Sequence, residues 1–348
     1  MVSFQGTSPV ETIATVGEFQ LIQRLFTSQA GGLPPGVAVG IGDDAAVVSV
    51  PRTQQLVVTT DTLVEGIHFT ADADPFLLGQ KALRINLSDL AAMAAQPHWY
   101  LLSLSLPSQT PVAWVEALVA GLRLAAQRPA GEVVLLGGNT TGSAPGGISI
   151  TITLLGLIGT NRAVTRSGAQ VGDRILVTGT IGDATLGWAS QRGALPGATA
   201  EDLAALQQRH RLPDPPVELA IALQEAAYTR SAVDISDGLL ADLGHLCQAS
   251  QVGARLEAER VPLSPAARRQ VERHGVALLA QMLSGGEDYE LLFTVSPTAV
   301  AGVQVLAEAA GVRVTEIGVI TAGVGVTVTC AGQPLPVASG GWDHFGSA

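Results

Sequence analysis

VGIGDDAAVVSVPRTQQLVVTTDTLVEGIHF, residues 39–69, sets the pattern on which the rest of the chain is built. A Gly-rich turn carries Asp43 and Asp44. A short apolar run, Leu56 to Val58, then ends on Thr59, Thr60 and Asp61. Apolar residues supply a frame, and carboxylates stand where the strands are expected to stop. Carboxylates beside glycines suit a hard cation such as Mg2+, which takes oxygen ligands and keeps room for phosphates. Asp43, next to Asp44, reads as an acid that supports a neighbouring ligand or caps the turn.

Composition narrows the classes. The chain has 348 residues, enough for two domains, and is 47% hydrophobic, so a sizeable core is easily supplied. A formal net charge of -11 argues against a broad basic face for nucleic acid. Lys81 is the only lysine, so a phosphate-handling chain of this composition needs divalent metal as counter-charge. Cys247 and Cys330 alone make neither a disulfide framework nor a zinc site. The stretch MVSFQGTSPVET lacks the basic and apolar regions of a signal peptide, and the apolar run Ile148–Ile158 is too short to span a bilayer. The expectation is a cytoplasmic protein with no membrane association.

Periodicity gives the elements. Gly17–Phe26 reads as a short helix, and Asp74 with Pro75 caps a long one running to Ala95. Asn86, Ser88 and Asp89 interrupt that helix, so its polar face is expected to look into a site. Tyr100–Leu106, Glu132–Leu136 and Gly147–Ile158 read as strands, the second running into GGNTTG (137–142), and Thr110–Gln127 as a helix. Residues 159–173 read as a crossing between domains. Beyond it come a strand at Ile175–Thr178, the turn GTIGDA (179–184), helices from Asp183, over Pro215–Tyr228, Leu239–Ala249 and Pro262–His274, and a strand at Leu291–Val295. A helix over Pro297–Ala310 and strands near Val312 and Val324 close the series.

Four places share one grammar, a short apolar run followed by Gly, Thr and an acid or amide. They are Val58–Asp61, Leu136–Asn139, Val177–Thr180 and Val233–Asp237. Gly-rich helix starts favour phosphate oxygens, which makes 179–184 a candidate cradle. Two unit charges 4 Å apart interact by roughly 4 kcal/mol at an effective dielectric of about 20. Asp44, Asp61, Asp89, Asp234 and Asp237 gathered around a polyphosphate would therefore demand several divalent ions. No Gly-x-x-x-x-Gly-Lys-Ser/Thr loop and no protein-kinase signature is present, so phosphoryl transfer would run on another scaffold.

GIGDDAAV, TTDTLVEGIHF, KALRINLSDLAAMAA, TRSGAQVGD, DISDGLLADLGH, SGGEDYELLF and WDHF together resemble the thiamine-monophosphate kinase family, over nearly the whole chain. That family shares a superfamily with aminoimidazole ribonucleotide synthetase, selenophosphate synthetase and a hydrogenase maturation protein. The resemblance implies an α+β fold in two domains. Residues 1–160 would form an ATP- and metal-binding domain whose mixed sheet pairs across a homodimer, and 161–348 a C-terminal α/β sandwich. It implies ATP-dependent phosphorylation of thiamine monophosphate to thiamine diphosphate with several Mg2+ ions, a K+ requirement being left open. By motif, Asp44, Thr59, Thr60, Asp61, Asp89, Asn139, Asp234 and Asp237 fall at metal positions. Arg166, Ser236 and the Gly138-Asn139-Thr140 segment fall at ATP contacts, and His68, Glu287 and Trp342 at substrate contacts. Asn139 stands where the family usually carries Asp, which keeps an oxygen ligand and loses a charge. Selenophosphate synthetases need a reactive Cys or selenocysteine in an N-terminal loop, and here no Cys precedes Cys247. A non-catalytic nucleotide-binding module is the alternative from another class.

Overall fold

The computed structural model describes residues 11–26, 33–193 and 195–337. In chain order these carry α1 (Ile13–Val16), α2 (Glu18–Leu25), β1 (Val37–Val39), β2 (Val47–Val48), β3 (Gln54–Val64), α3 (Pro75–Ala92), β4 (Gln96–Pro107), α4 (Val112–Ala126), β5 (Gln127–Arg128), β6 (Gly131–Glu132), β7 (Val134–Ser143) and β8 (Ser149–Gly159). There follow β9 (Arg174–Thr178), α5 (Asp183–Gln191), α6 (Ala200–Arg211), α7 (Val217–Glu225), β10 (Thr229–Asp234), α8 (Leu239–Ser250) and β11 (Gly253–Glu257). The series ends with α9 (Pro265–His274), α10 (Val276–Ser284), β12 (Leu291–Val295), α11 (Val300–Ala309), β13 (Val314–Thr321), β14 (Gly325–Cys330) and β15 (Gln333–Pro334). Helices and strands are mixed throughout. Among the described residues no helix is long and apolar enough to cross a membrane.

The chain divides into two compact units. Residues 1–51, 60–83 and 98–155 form the first, and 52–59, 84–97 and 156–348 the second. A four-stranded sheet has the order β3-β8-β4-β7, with β4 and β7 parallel. Alternation sorts its side chains: Leu102, Leu104, Leu106, Ile150, Ile152 and Leu154 are buried, while Thr60, Thr62, Leu101 and Ser103 stand on the open side. Two details differ from the sequence expectation. Thr59, Thr60 and Asp61 lie inside β3, which continues to Val64 because Thr and Val suit the pleat and alternate faces. The strand read as ending at Leu136 continues through GGNTTG, which is the body of β7, hydrogen-bonded along β4 with Leu102 opposite Gly138 and Ser103 opposite Asn139. A β-carbon at position 138 would collide with the Leu102 carbonyl oxygen, so only glycine lets the strands close there.

The second unit is built on a seven-stranded sheet, β10-β12-β9-β13-β11-β14-β15, antiparallel except for the β11–β14 pair. Ile175, Val177, Val233, Leu292, Leu256 and Ile317 pack against Leu239, Leu243 and Leu246 of α8 and against Leu279 and Leu283 of α10. Leu176 and Phe293, pointing the other way, are also fully buried, so the central strands are covered on both faces. The start read at Asp74-Pro75 holds, whereas the helix read from Pro262 begins three residues later, at Pro265. Asp74 accepts from the Phe76 N–H at 2.8 Å, and Ser264 caps α9 with Pro265 at its first position. Helices α6 and α10 and strand β11 were not anticipated.

Candidate functional site

Three turns meet at one edge of the large sheet. In β10, β12 and β9 Asp234 lies opposite Leu291, and Leu292 opposite Val177. The end of β10, the start of β12 and the end of β9 therefore share that edge, and segments 234–238, 284–290 and 178–184 run side by side. Glu287 and Tyr289 donate their N–H groups to the carbonyls of Ser236 and Ile235, both at 2.8 Å. The Ile235 N–H returns a bond to the Glu290 carbonyl at 2.9 Å. A β-carbon at position 286 would collide with the Ser236 carbonyl, which explains the glycine between two closely apposed turns.

Buried carboxylates close the 178–184 turn. Asp288 accepts from the Gly182 N–H at 2.7 Å and the Ala184 N–H at 3.2 Å, at the start of α5. The Gly179 and Ile181 N–H groups are used by the Arg313 and Pro262 carbonyls. The sequence expectation of a phosphate cradle at 179–184 is thereby corrected, because the donors a phosphate would need already serve the chain's own acceptors. Burial pushes the Asp288 carboxyl well above the usual carboxylate range. Burial also raises Glu290, opposed by the Arg209 guanidinium. Glu290 accepts from Thr178 Oγ1 at 2.6 Å and from Arg209 at 2.5 Å.

The 234–238 turn is arranged differently. Asp234 is buried and accepts from Ser88 Oγ at 2.9 Å. The next residue of α3, Asp89, accepts from Thr59 Oγ1 at 2.5 Å. Two hydroxyl–carboxylate pairs of the second unit, Thr59 with Asp89 and Ser88 with Asp234, are thus joined through neighbouring residues of α3. Asp237 is half-buried, and its backbone N–H and that of Gly238 donate to Asp242 Oδ2 at 3.1 and 3.0 Å. Asp237, Asp242 and His245 each offer a ligand atom, all within 4.8 Å of one another. Burial first, and the Asp237 charge second, push the Asp242 carboxyl up to about 7. Arg166 is close enough for its charge to oppose that shift. Its segment is tied to β10 by the Ala232 N–H, which donates to the Thr165 carbonyl at 3.0 Å. Ser236 is half-buried in the same turn. Glu287 pairs with His210 Nε2 at 2.6 Å.

The remaining expected residues, Trp342 apart, belong to the first unit. Asp44 is exposed, and its N–H donates to Asp43 Oδ1 at 2.8 Å. Asp61 is half-buried on the inward side of β3, two residues from Thr59, whereas Thr60 points to the open face and donates to the Ile152 carbonyl at 3.1 Å. His68 Nδ1 accepts from the Val64 N–H at 3.0 Å, which puts the proton of the neutral ring on Nε2. Gly138 and Asn139 are exposed on β7 and Thr140 is half-exposed. Trp342 lies outside the described residues.

Sequence reasoning missed Asp242, His245, Asp288, Glu290, Arg209 and His210. Asp242 and His245 carried a signal, being three residues apart at the start of the helix that follows DISDG. His210 carried none, because its partner Glu287 is far along the chain.

Comparison with known proteins gives consistent matches. Residues 42–158 match the AIR synthase related protein N-terminal domain, and 170–331 the corresponding C-terminal domain. Thiamine-monophosphate kinase of Escherichia coli (strain K12) is 42% identical over 330 residues, covering 94% of this chain and 98% of that protein. The enzyme of the same name from Caulobacter vibrioides is 38% identical over 329 residues, covering 94% and 90%. Among solved structures, the crystal structure of thiamine-monophosphate kinase from Stenotrophomonas maltophilia superposes with a TM-score of 0.78 at 39% identity, covering 92% and 98%. AaThiL complexed with AMPPCP and TMP gives a TM-score of 0.73 at 33% identity, covering 99% and 100%.

Proposed function

This chain belongs to the thiamine-monophosphate kinase family of AIR synthase related proteins, and on that premise we propose that it transfers the γ-phosphoryl group of ATP to thiamine monophosphate, giving thiamine diphosphate and ADP. The observation that carries this reading is 42% identity to a thiamine-monophosphate kinase over 94% of the chain, with 98% of that protein covered. The hydroxyl–carboxylate pairs of Thr59 with Asp89 and Ser88 with Asp234 support it from the structure.

The donor set fits magnesium. Thr59, Asp89, Asp234 and Asp237 offer carboxylate and hydroxyl oxygens, the ligands of a hard cation, with Asp44, Thr60, Asp61 and Asn139 as the first unit's candidates. When bound, such ions neutralise phosphate charge and stabilise charge developing on the transferred group. The chain's own residues do the rest. Ser88 and Thr59 hold two carboxylates in fixed orientations, and Arg166 with Ser236 serves the nucleotide. Gly138, Asn139 and Thr140 are assigned to the nucleotide as well. His68, presenting Nε2–H, and Glu287 serve the acceptor, with Trp342 as a third contact.

A phosphate monoester with a second pKa of about 6 is largely dianionic near neutrality. Its oxygen attacks in line without a strong general base, and positioning and charge neutralisation provide the acceleration. No covalent phosphoenzyme forms. The open face of the four-stranded sheet, with hydroxyl pairs Thr60···Thr153 at 3.0 Å and Thr62···Thr151 at 2.8 Å, supports a homodimer through that face. The test is incubation with ATP, Mg2+ and a mixed panel of phosphate acceptors, following thiamine diphosphate and ADP. Turnover of another acceptor but not thiamine monophosphate would overturn the reading, and nucleotide binding without turnover in several metals would point to a non-catalytic module.

A further inference from the structure

Two consecutive basic residues at the end of α6 grip the 284–290 segment at two glutamates. Arg209 donates to Glu290 Oε1 at 2.5 Å, and His210 Nε2 meets Glu287 Oε2 at 2.6 Å. His210 is itself held on its remaining sides. Its ring stacks on Trp188 of α5 with centroids 5.1 Å apart and planes inclined by 26°. Gln191 Nε2 lies 3.3 Å from His210 Nδ1. An amide nitrogen donating to Nδ1 leaves the proton of the neutral imidazole on Nε2, aimed at the Glu287 carboxylate. The interaction therefore needs no charged histidine. Glu287 and Tyr289 both have positive φ, 69° and 50°. Non-glycine residues hold that conformation only where the surroundings impose it. Here the imposition comes from the two backbone bonds to the 235–236 carbonyls and from the side-chain grip of α6.

We propose that His210 is a positioning residue for the phosphate acceptor: through Nε2 it fixes the Glu287 carboxylate in the orientation that binds thiamine monophosphate, while Arg209 anchors the same segment at Glu290. The inference rests on the assignment of Glu287 to the acceptor under the proposed function. A carboxylate oriented in advance binds without the entropic cost of ordering it, so the effect falls on affinity for that one substrate.

Steady-state kinetics with each substrate varied in turn, together with calorimetric binding of thiamine monophosphate, tests it on the full chain. His210→Ala raises KM and Kd for thiamine monophosphate about tenfold, as loss of a hydrogen bond to a charged group does, and moves KM for ATP by less than about twofold. His210→Gln, which places an amide donor at similar reach, recovers most of the loss. Glu287→Ala combined with His210→Ala is no worse than Glu287→Ala alone. Should His210→Ala fail to fold, Gln191→Leu carries the test, because it frees the imidazole tautomer and raises the same KM selectively. Equal movement of both KM values, no movement of either, no recovery with glutamine, or additive defects in the double variant would each overturn the proposal. Wild-type protein that turns over no thiamine monophosphate overturns the functional reading and this inference with it. Wild-type turnover with both KM values moved alike in the variants overturns this inference alone.

Discussion

The turns after β9 and β10 follow one plan and end up with opposite uses. Each strand is followed, four residues after its last residue, by a glycine that begins a helix: Thr178 to Gly182 before α5, and Asp234 to Gly238 before α8. Position by position, Thr178 matches Asp234, Thr180 matches Ser236, and fully buried Ile181 matches half-buried Asp237. In the first turn the N–H groups of Gly182 and Ala184 are occupied by Asp288, whose carboxylate arrives from 106 and 104 residues away. In the second the capping carboxylate, Asp242, comes from the turn's own helix, which leaves Asp237 and Ser236 on the accessible side. The same spacing of strand end and glycine therefore yields a sealed turn or a more open one, depending on where the internal anion comes from.

The comparison breaks most visibly at the residue that differs most. Asp237→Ala is expected to lower turnover by about 100-fold or more, the scale seen when one group facing transition-state charge is removed. Its melting temperature should stay near that of the wild type. Asp288→Ala should do the reverse. It leaves the Gly182 and Ala184 N–H groups without their acceptor inside the protein, at a cost of about 2 kcal/mol or more in thermal unfolding. KM for both substrates should be little changed in the protein that remains folded. A melting loss in Asp237→Ala with normal turnover would erase the distinction between the turns.

How far this was readable in the residues depended on distance along the chain. The start of α3 was plain because Asp74 and Pro75 are local signals, and α8 was plain because DISDG precedes an apolar helix. Thr59–Asp61 was misplaced to a strand end, since the apolar run stops at Val58 while the pleat continues to Val64. The strand before the Gly-rich GGNTTG reads as ending at Leu136 because glycine's usual meaning is conformational. Here Gly138 answers the close approach of the Leu102 carbonyl, a contact only the sheet reveals. Helix α6 went unread because AEDLAALQQRHR buries Asp202 and His210 as well as Leu206, so its inward face is not apolar. The Arg269–Asp202 ion pair that makes this burial tolerable lies 67 residues off. Among the site residues, Asp89, Asp234 and Asp237 fall in the second unit and Asp44 and Asp61 in the first, and the sealing of the 178–184 turn by Asp288 carried no local signal.

A third measurement follows the capping acid of the open turn through pH. The folded chain holds Asp242 protonated up to about pH 7, whereas the unfolded chain releases that proton near the ordinary value of 3.8. Over that window the folded state binds more protons, so its stability declines as pH rises, by about 1.4 kcal/mol per unit. Asp242→Asn keeps an oxygen for the Asp237 and Gly238 N–H groups and carries no charge. In a chelator-containing buffer its melting temperature should therefore fall less steeply between pH 4 and 7 than that of the wild type, the slope that remains coming from Asp288 and Glu290, which burial also raises. Parallel curves would mean that Asp242 is ionised in the fold and that burial does not govern it.

The smallest effects come from the matched hydroxyls, and they sharpen the comparison because the two residues differ by little more than their surroundings. Thr180 donates from Oγ1 to Asp183 Oδ2 at 2.6 Å, and Asp183 also accepts from Ser264 Oγ at 2.5 Å. Thr180→Val keeps the volume and removes one donor from a carboxylate that retains another. The expected cost is about 1 kcal/mol in unfolding, with kinetics unchanged. Ser236→Ala removes a hydroxyl from the turn that carries Asp237, and should raise KM for ATP a few-fold while leaving the melting temperature in place. Because a purely structural turn would register both substitutions as stability losses, an unchanged KM for ATP in Ser236→Ala would place the 234–238 turn with its sealed counterpart and remove Ser236 from the nucleotide's contacts.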